Sequence, residues 1–437
     1  VIRGGIGEFR SAPSIGLVAS AAGATGLPDN ESQLVCIGAG VPVPNWNLYS
    51  QDPSAIPTSC ATGGNQFLPT SRPNVTVFDD NFSAARSIRS SLGVQHRFAQ
   101  RYNINVDFSY ARGVALTGYT DVNLRSTPQF GLTSEAGRPV FVDATTIVPL
   151  TGAVSVLGSR RNDAFGQVLA TGSDLSSDSK QVTVSMGGIT SKGAILNFSY
   201  TWGQTKDQGA NGGGGGGPFG GFGGGGGFSS FGGPTTAGNP NIREWAPSDF
   251  DRRHTIVGTI TYPFNQAIEV TAFGRMSSGS PFTPMVGADI NGDGSRNDRA
   301  FLFDPSVASS PTVAAGMQRL LENSPDAVKS CLNAQLGGIA GRNSCRGPWQ
   351  PSLDLQLNWR PNFLGLNRRL AISVLTVNTL GGLDQLLHGS DNLRGWGQFR
   401  GTDNTLLYVR GFDPNTKAYT YEVNERFGAN RAGQNGI

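Results

Sequence analysis

Three groups of residues have the side chains and spacing to do chemistry. The first is Asp289-x-Asn291-x-Asp293-Gly294, with oxygen donors at loop positions one, three and five and glycine where the chain must turn sharply. That is the opening half of a calcium loop. Ala300 stands at position twelve in place of the bidentate Glu, so Asn297 and Asp298 are left to complete the shell. One expectation is a structural Ca2+ on Asp289, Asn291, Asp293 and Asp298, clipping an external loop. The other is an ion-free polar turn tied by Asx hydrogen bonds. The second group is the cysteines. Cys36 with Cys60, and Cys331 with Cys345, lie as two local pairs among Gly, Pro, Ser and Asn. They predict two loop-closing disulfides and an oxidising compartment. No Cys-x-x-Cys occurs and His is nearly absent, which argues against zinc. The third group is Asp251-Arg252-Arg253-His254, alternating charges that suit a hydrated rim ordered by its own hydrogen bonds.

No catalytic residue is predicted. Gly-x-Ser-x-Gly, His-Glu-x-x-His and Gly-Lys-Ser/Thr are all absent, and no pair of acids stands out for glycoside hydrolysis. The chain is not expected to be an enzyme. Residues 212–233 hold fifteen glycines and four phenylalanines. No Lys-Ser/Thr follows to make a phosphate loop, so the composition predicts a flexible coil with sticky aromatic points.

Elements must position these groups, and composition limits which. Lys+Arg less Asp+Glu is 34 − 31 = +3, so no basic field points to nucleic acid. Charged residues are 15% against a usual ~25%, and glycine is 62 of 437. No run of ~18 apolar residues could cross a membrane as a helix. The dominant pattern is period two. Ile104, Val106, Phe108 and Tyr110 alternate with polar residues over 103–111; the same rhythm fills 181–186, 196–203 and 352–359. Short turns are expected at Ala99–Tyr102, Thr190–Gly193, Pro263–Gln266 and Pro361–Asn367. Between the hairpins run long connections, roughly 31–85, 120–163, 205–250, 280–350 and 388–403. Loops above ~12–15 residues are uncommon in compact soluble domains. Short turns alternating with long loops suit a membrane β-barrel.

The aromatic residues fit that reading. Tyr110, Tyr200, Trp202, Tyr262 and Trp359 sit near strand ends, as an interfacial belt requires. Asp107, Asn197, Glu269, Arg275, Asp354 and Asn358 would then face a lumen. The fold class is therefore all-β: an antiparallel transmembrane β-barrel, partial, with short periplasmic turns and long extracellular loops. It covers 1–437 and includes a Gly/Phe-rich extracellular loop at 205–250. A second long loop at 280–350 carries the calcium turn and one disulfide.

The ordered set Asp249-Phe250-Asp251-Arg252-Arg253-His254, Tyr262-Pro263-Phe264, Ser278-Gly279-Ser280-Pro281-Phe282-Thr283 and Asp289 to Arg299 resembles the barrel of Oar-like TonB-dependent outer-membrane transporters. Arg3-Gly4-Gly5-Ile6-Gly7-Glu8-Phe9 resembles a further strand of that family. The resemblance is strong over about 248–300. It implies a barrel of ~22 strands around a plug, driven by the TonB complex through a Ton box. The plug and Ton box are expected upstream of Val1, in a longer protein of which this chain is a piece. The resemblance implies the bacterial outer membrane, contact with its lipid, no nucleic acid, and energised passage of an unidentified substrate. The alternative is a secreted or surface-exposed β-rich binding or adhesion protein with disulfide-closed loops.

Overall fold

The computed structural model describes residues 1–13, 15–26, 35–37, 41–57, 61, 65–67, 72–209, 235–361, 369–389, 395–397 and 402–429. Nine strands form one antiparallel wall, each paired to the next in the chain: β1 (Ile2–Arg10), β2 (Arg86–Phe98), β3 (Tyr102–Asp121), β4 (Val168–Ile189), β5 (Ile195–Asp207), β6 (His254–Pro263), β7 (Ile268–Ser277), β8 (Gln350–Trp359) and β9 (Ile372–Thr376). Among the described residues the order runs from β1 to β9 without the two ends meeting.

Register sorts the side chains into rows. Ile2, Val94, Val106, Val184, Tyr200, Ile256, Met276 and Pro351 lie abreast across the wall. The adjacent row is Arg3, Gly93, Asp107, Thr183, Thr201, Thr255, Ser277 and Gln350. Because strand side chains alternate faces, the first row belongs to one surface and the second to the other. The polar surface is cross-linked by pairs such as Thr183 and Thr201, whose hydroxyls are 3.0 Å apart, and Thr261 and Thr271, also at 3.0 Å. All six residues expected to face a lumen lie on this polar surface.

Much of the apolar surface is left bare among the described residues. Leu92, Ile260 and Val374 remain 53%, 51% and 51% exposed. In water such a face would be a severe liability; in a bilayer it is the required outer surface. Aromatic residues bound it at both ends. Phe98 stacks on Tyr102, and Tyr262 meets Phe264 edge-on, beside the short turns. Trp202 and His254 pair near the other end of β5 and β6. From His254 to Tyr262 the strand runs about 26 Å at ~3.3 Å per residue, close to the ~25 Å apolar band of outer-membrane barrels.

The short turns follow β2, β4, β6 and β8, all at one end of the wall. Ala99 and Gln100 take φ of 49° and 54° in the first, and Gly193 takes 80° in the second. The fourth turn is mostly outside the described residues.

The long connections leave the opposite end, and three of them fold together into a cap. Its dry core joins Leu132, Val140, Val142 and Ile147 after β3 with Ile290, Leu302, Met317 and Leu332 after β7 and Leu406, Leu407, Tyr421 and Val423 after β9. The last segment is a hairpin of β10 (Thr405–Asp413) and β11 (Ala418–Val423). Met285 and Val286 pair in parallel with β10. Helix α1 (Pro311–Asn323) starts at Ser310, whose hydroxyl accepts the Val313 N–H, with Pro311 in its first turn. It buries Val313, Gly316, Met317 and Leu320. Gly316 is there for closeness: a Cβ would sit 2.8 Å from the Val423 Cβ. Helix α2 (Asp326–Asn333) buries Val328 and Leu332.

Candidate functional site

The site lies where wall and cap meet. Its pieces are the rim before β6, the turn 289–298 and the disulfide that fixes the return of the chain into β8.

At the rim, Asp251 is fully buried. Its Oδ1 accepts the Thr205 N–H at 2.7 Å, and its Oδ2 meets Arg253 Nε at 3.1 Å and the Arg346 guanidinium. Thus Asp251 and Arg253 come together, as alternating rim charges should. His254 opens β6 and points the other way. Its ring stacks between Tyr200 and Trp349, at 6.0 and 5.9 Å, and its Nδ1 shares a 2.8 Å hydrogen bond with the Tyr200 hydroxyl. Arg252 is half-buried, and its Nη1 is enclosed with no hydrogen-bond partner. Burial, then the nearby charges of Arg275 and Arg346, pull its guanidinium below its ordinary value.

Arg346 is the member that sequence reading missed. It is 95 residues from Asp251 in the chain, and only the fold connects them. Cys331 and Cys345 form a disulfide with Cα atoms 5.3 Å apart, joining α2 to the residue before Arg346. Cys345 and Arg346 in turn pair with Phe282 and Pro281. The expected Cys331–Cys345 bridge therefore positions a rim cation. Cys60 lies outside the described residues, as does the side chain of Cys36, and so does the Gly/Phe segment 210–234.

The turn 289–298 is heavily bonded and mostly buried, with Gly294 and Arg296 exposed. The two Asp289 oxygens accept the N–H groups of Gly292 and Gly294 at 2.7 and 2.9 Å. Asn291 Oδ1 accepts the Asp293 N–H at 2.8 Å, and Asp293 Oδ1 accepts the Ser295 N–H at 2.7 Å. Asp298 Oδ2 accepts the Ile290 N–H at 2.9 Å, while Oδ1 lies 3.6 Å from Arg138 Nη1. Gly294 has φ of 91°, and a Cβ there would stand 2.7 Å from Arg160 Nη2.

These carboxyls sit in a dry place near one another. Burial, then the charge of Asp289, pushes Asp293 up to about 7. Burial, then Asp293, holds Asp298 well above the usual range, and burial raises Asp289. Arg138 and Arg160 offset part of this charge. Among the described residues, no three acidic, His or Cys side chains converge as a metal cluster. The structure brings Asp289, Asn291, Asp293 and Asp298 into one turn, and most of the oxygens described above are engaged by backbone N–H groups, whereas Asp298 Oδ1 is buried with no hydrogen-bond partner and has only the charge of Arg138 at 3.6 Å.

A buried network under the turn was also missed. Tyr421 donates to Glu135 at 2.5 Å, and Arg138 donates to Glu135 at 2.9 Å and to the Arg299 carbonyl at 2.6 Å. Glu135 and Arg138 are three residues apart with opposite charges, a faint signal; Tyr421, 286 residues away, gives none.

A continuous antiparallel wall with an exposed apolar face, aromatic borders and loops gathered at one end defines an outer-membrane β-barrel protein. The sequence matches the family model of the outer membrane beta barrel domain over residues 1–373, and the chain belongs to that family. It is a protein of the bacterial outer membrane. No curated protein matches it in sequence. Among solved structures it is similar to the outer membrane transporter YddB of Escherichia coli, at 8% identity and TM-score 0.38, over 73% of this chain and 31% of that one. It is also similar to the FrpB iron transporter of Neisseria meningitidis, F3-3 variant, at 10% identity and TM-score 0.31, over 70% of this chain and 29% of that one. The chain thus spans about a third of the length of these two structures.

Proposed function

We propose that this chain is wall and external cap of a TonB-dependent transporter of Oar-like type, which passes a solute across the outer membrane with energy delivered through a plug and Ton box elsewhere in the protein. The observation that carries this reading is the pair of surfaces on the wall: one apolar and unpacked, one polar and cross-linked. The polar rows would line a passage and the apolar rows would meet acyl chains. The ordered motif set from Asp249 to Arg299 supports the particular transporter type. A water-soluble adhesin would have to hide residues such as Leu92 and Ile260, which this wall leaves bare. The test is solute depletion from a defined medium. Cells lacking the protein and cells lacking TonB should fail to deplete the same solutes. Unchanged depletion in both strains would refute the transporter.

A structural calcium ion on Asp289, Asn291, Asp293 and Asp298 is the second proposal. Its support is the loop spacing together with two buried carboxyls, Asp293 and Asp298, and the half-buried Asp289 in one turn. Calcium should raise the melting temperature of the cap, and Asp293→Ala should abolish that rise. A melting curve indifferent to calcium and to chelator would remove the ion.

A further inference from the structure

A cluster of four arginines lies just inside the cap, at the mouth of the polar face. Arg252, Arg253 and Arg346 surround one carboxylate, Asp251, with Arg275 beside them. That carboxylate is used up. Its oxygens already take the Thr205 N–H, Arg253 and Arg346, and its backbone carbonyl takes a further bond from Arg346 Nη1 at 3.2 Å. The next acid along the chain, Asp249, is engaged by Asn343 Nδ2 at 2.6 Å.

Arg275 stands on the polar face between Val257 and Ser352, one step inward from Ser277 and Thr255. It is exposed, and Arg253 and Arg346 are half-exposed, so the cluster opens onto solvent. Arg252 is the member under most tension. Its Nη1 is enclosed and takes no acceptor. Leaving a buried charged donor without an acceptor is costly, and like charges nearby add to the cost. An anion set among these groups would remove both penalties. The guanidinium fork matches the paired oxygens of a carboxylate or phosphate, and a cleft of one sign concentrates ligands of the other.

We propose that Arg252, Arg253, Arg275 and Arg346 form a binding site for an anionic group, carboxylate or phosphate, on the solute that enters the barrel. The word solute rests on the transporter reading above; the anion site does not. Its place on the polar face puts the wall between it and the lipid, so the anion arrives from the aqueous side. The disulfide is part of the site, since it holds Arg346 in position.

Calorimetric titration of the whole protein in detergent tests this, with inorganic phosphate as one arm, citrate as the second and choline as the cationic control. Phosphate or citrate should bind saturably and choline should not. The double variant Arg252→Gln, Arg275→Gln should weaken binding at least about tenfold. Arg252→Lys, which keeps the charge and loses the fork, should fall between. Arg319→Gln, on the cap surface and paired with Glu425, should bind as the native protein does. A melting temperature shared by all variants shows that the fold is intact. No saturable binding of either anion, or native affinity in the folded double variant, overturns the site. Anion binding without TonB-dependent depletion keeps the site and sinks the transporter; depletion without anion binding sinks the site alone.

Discussion

Wall and cap are built from one chain with similar residues, yet they bury opposite things. In the wall each strand meets its neighbour in the sequence, and the apolar row stays exposed: Leu92 at 53%, Ile260 at 51%. In the cap Leu302, Leu332 and Leu407 are fully buried, and so are the carboxyl groups of Glu135 and Asp298. Across its middle rows the wall keeps its charges on the polar face; Arg112, Asp178 and Lys180 share the face of the apolar row, beyond Tyr110 toward the cap. An alternating strand only states that it has two sides; the solvent on each side decides which is outer. Lipid lets the wall dispense with a core, whereas the cap stands in water and must make one.

Substitutions in the two regions should therefore fail differently. The largest effect is expected from Leu407→Ala, which empties a fully buried site in the cap and should cost about 2–5 kcal/mol. Melting of the cap should drop while assembly of the barrel into membranes stays normal. If barrel assembly failed equally, wall and cap would be one cooperative unit and the contrast would go. Next is Met186→Arg on the apolar row, a charge aimed at lipid, which should cost about 2–4 kcal/mol near mid-bilayer. Ser185→Arg, one residue away on the polar face, should cost far less. Refolding into vesicles against denaturant measures both, and equal costs would show that the two faces do not differ in solvent.

The wall was legible because its information is local. Alternation at 103–111 or 352–359 is visible in a short window, and three of the four expected short turns appear between the strands they should join. Strand ends were less legible: β3 and β4 run past the apolar band to Asp121 and back from Val168, and nothing in their period marks where lipid ends. The cap was not legible as a folded unit. Its core joins Val140, Leu302 and Leu407, each in a stretch without sustained periodicity. The rim shows the same divide. Asp251 to His254 stand out as a run, while Arg346 reaches Asp251 only through the Cys331–Cys345 bridge and the strand pairing beside it.

That bridge supplies a smaller test of the cap alone. Cys331 and Cys345 are 14 residues apart, and closing a loop of that size stabilises by about 3 kcal/mol in the chain-entropy account. Engineered losses often come out lower. Cys331→Ser with Cys345→Ser should lower cap melting, leave barrel assembly untouched and loosen Arg346. Full retention of cap melting would mean that packing around α2 already fixes this segment.

The smallest expected effect separates the regions by pH. Asp143 lies in the cap, before a short 3-10 turn at Ala144–Thr146. Its Oδ1 accepts the Thr145 N–H at 2.9 Å and the Thr145 hydroxyl at 2.7 Å. Those bonds, the backbone one first, hold the carboxyl below its ordinary value. The folded state therefore favours the ionised form. The contribution is complete above the unfolded value of about 3.9 and fades as pH falls through the folded one. Asp143→Asn should melt slightly below the native cap at neutral pH, and the gap should close on acidification. The side chain is exposed, so salt and water keep the gap small. A gap that widened in acid would mean that Asp143 acts by something other than its charged hydrogen bonds. The same pH scan on barrel assembly should show no difference between the two proteins, because Asp143 stands on the cap side of the divide.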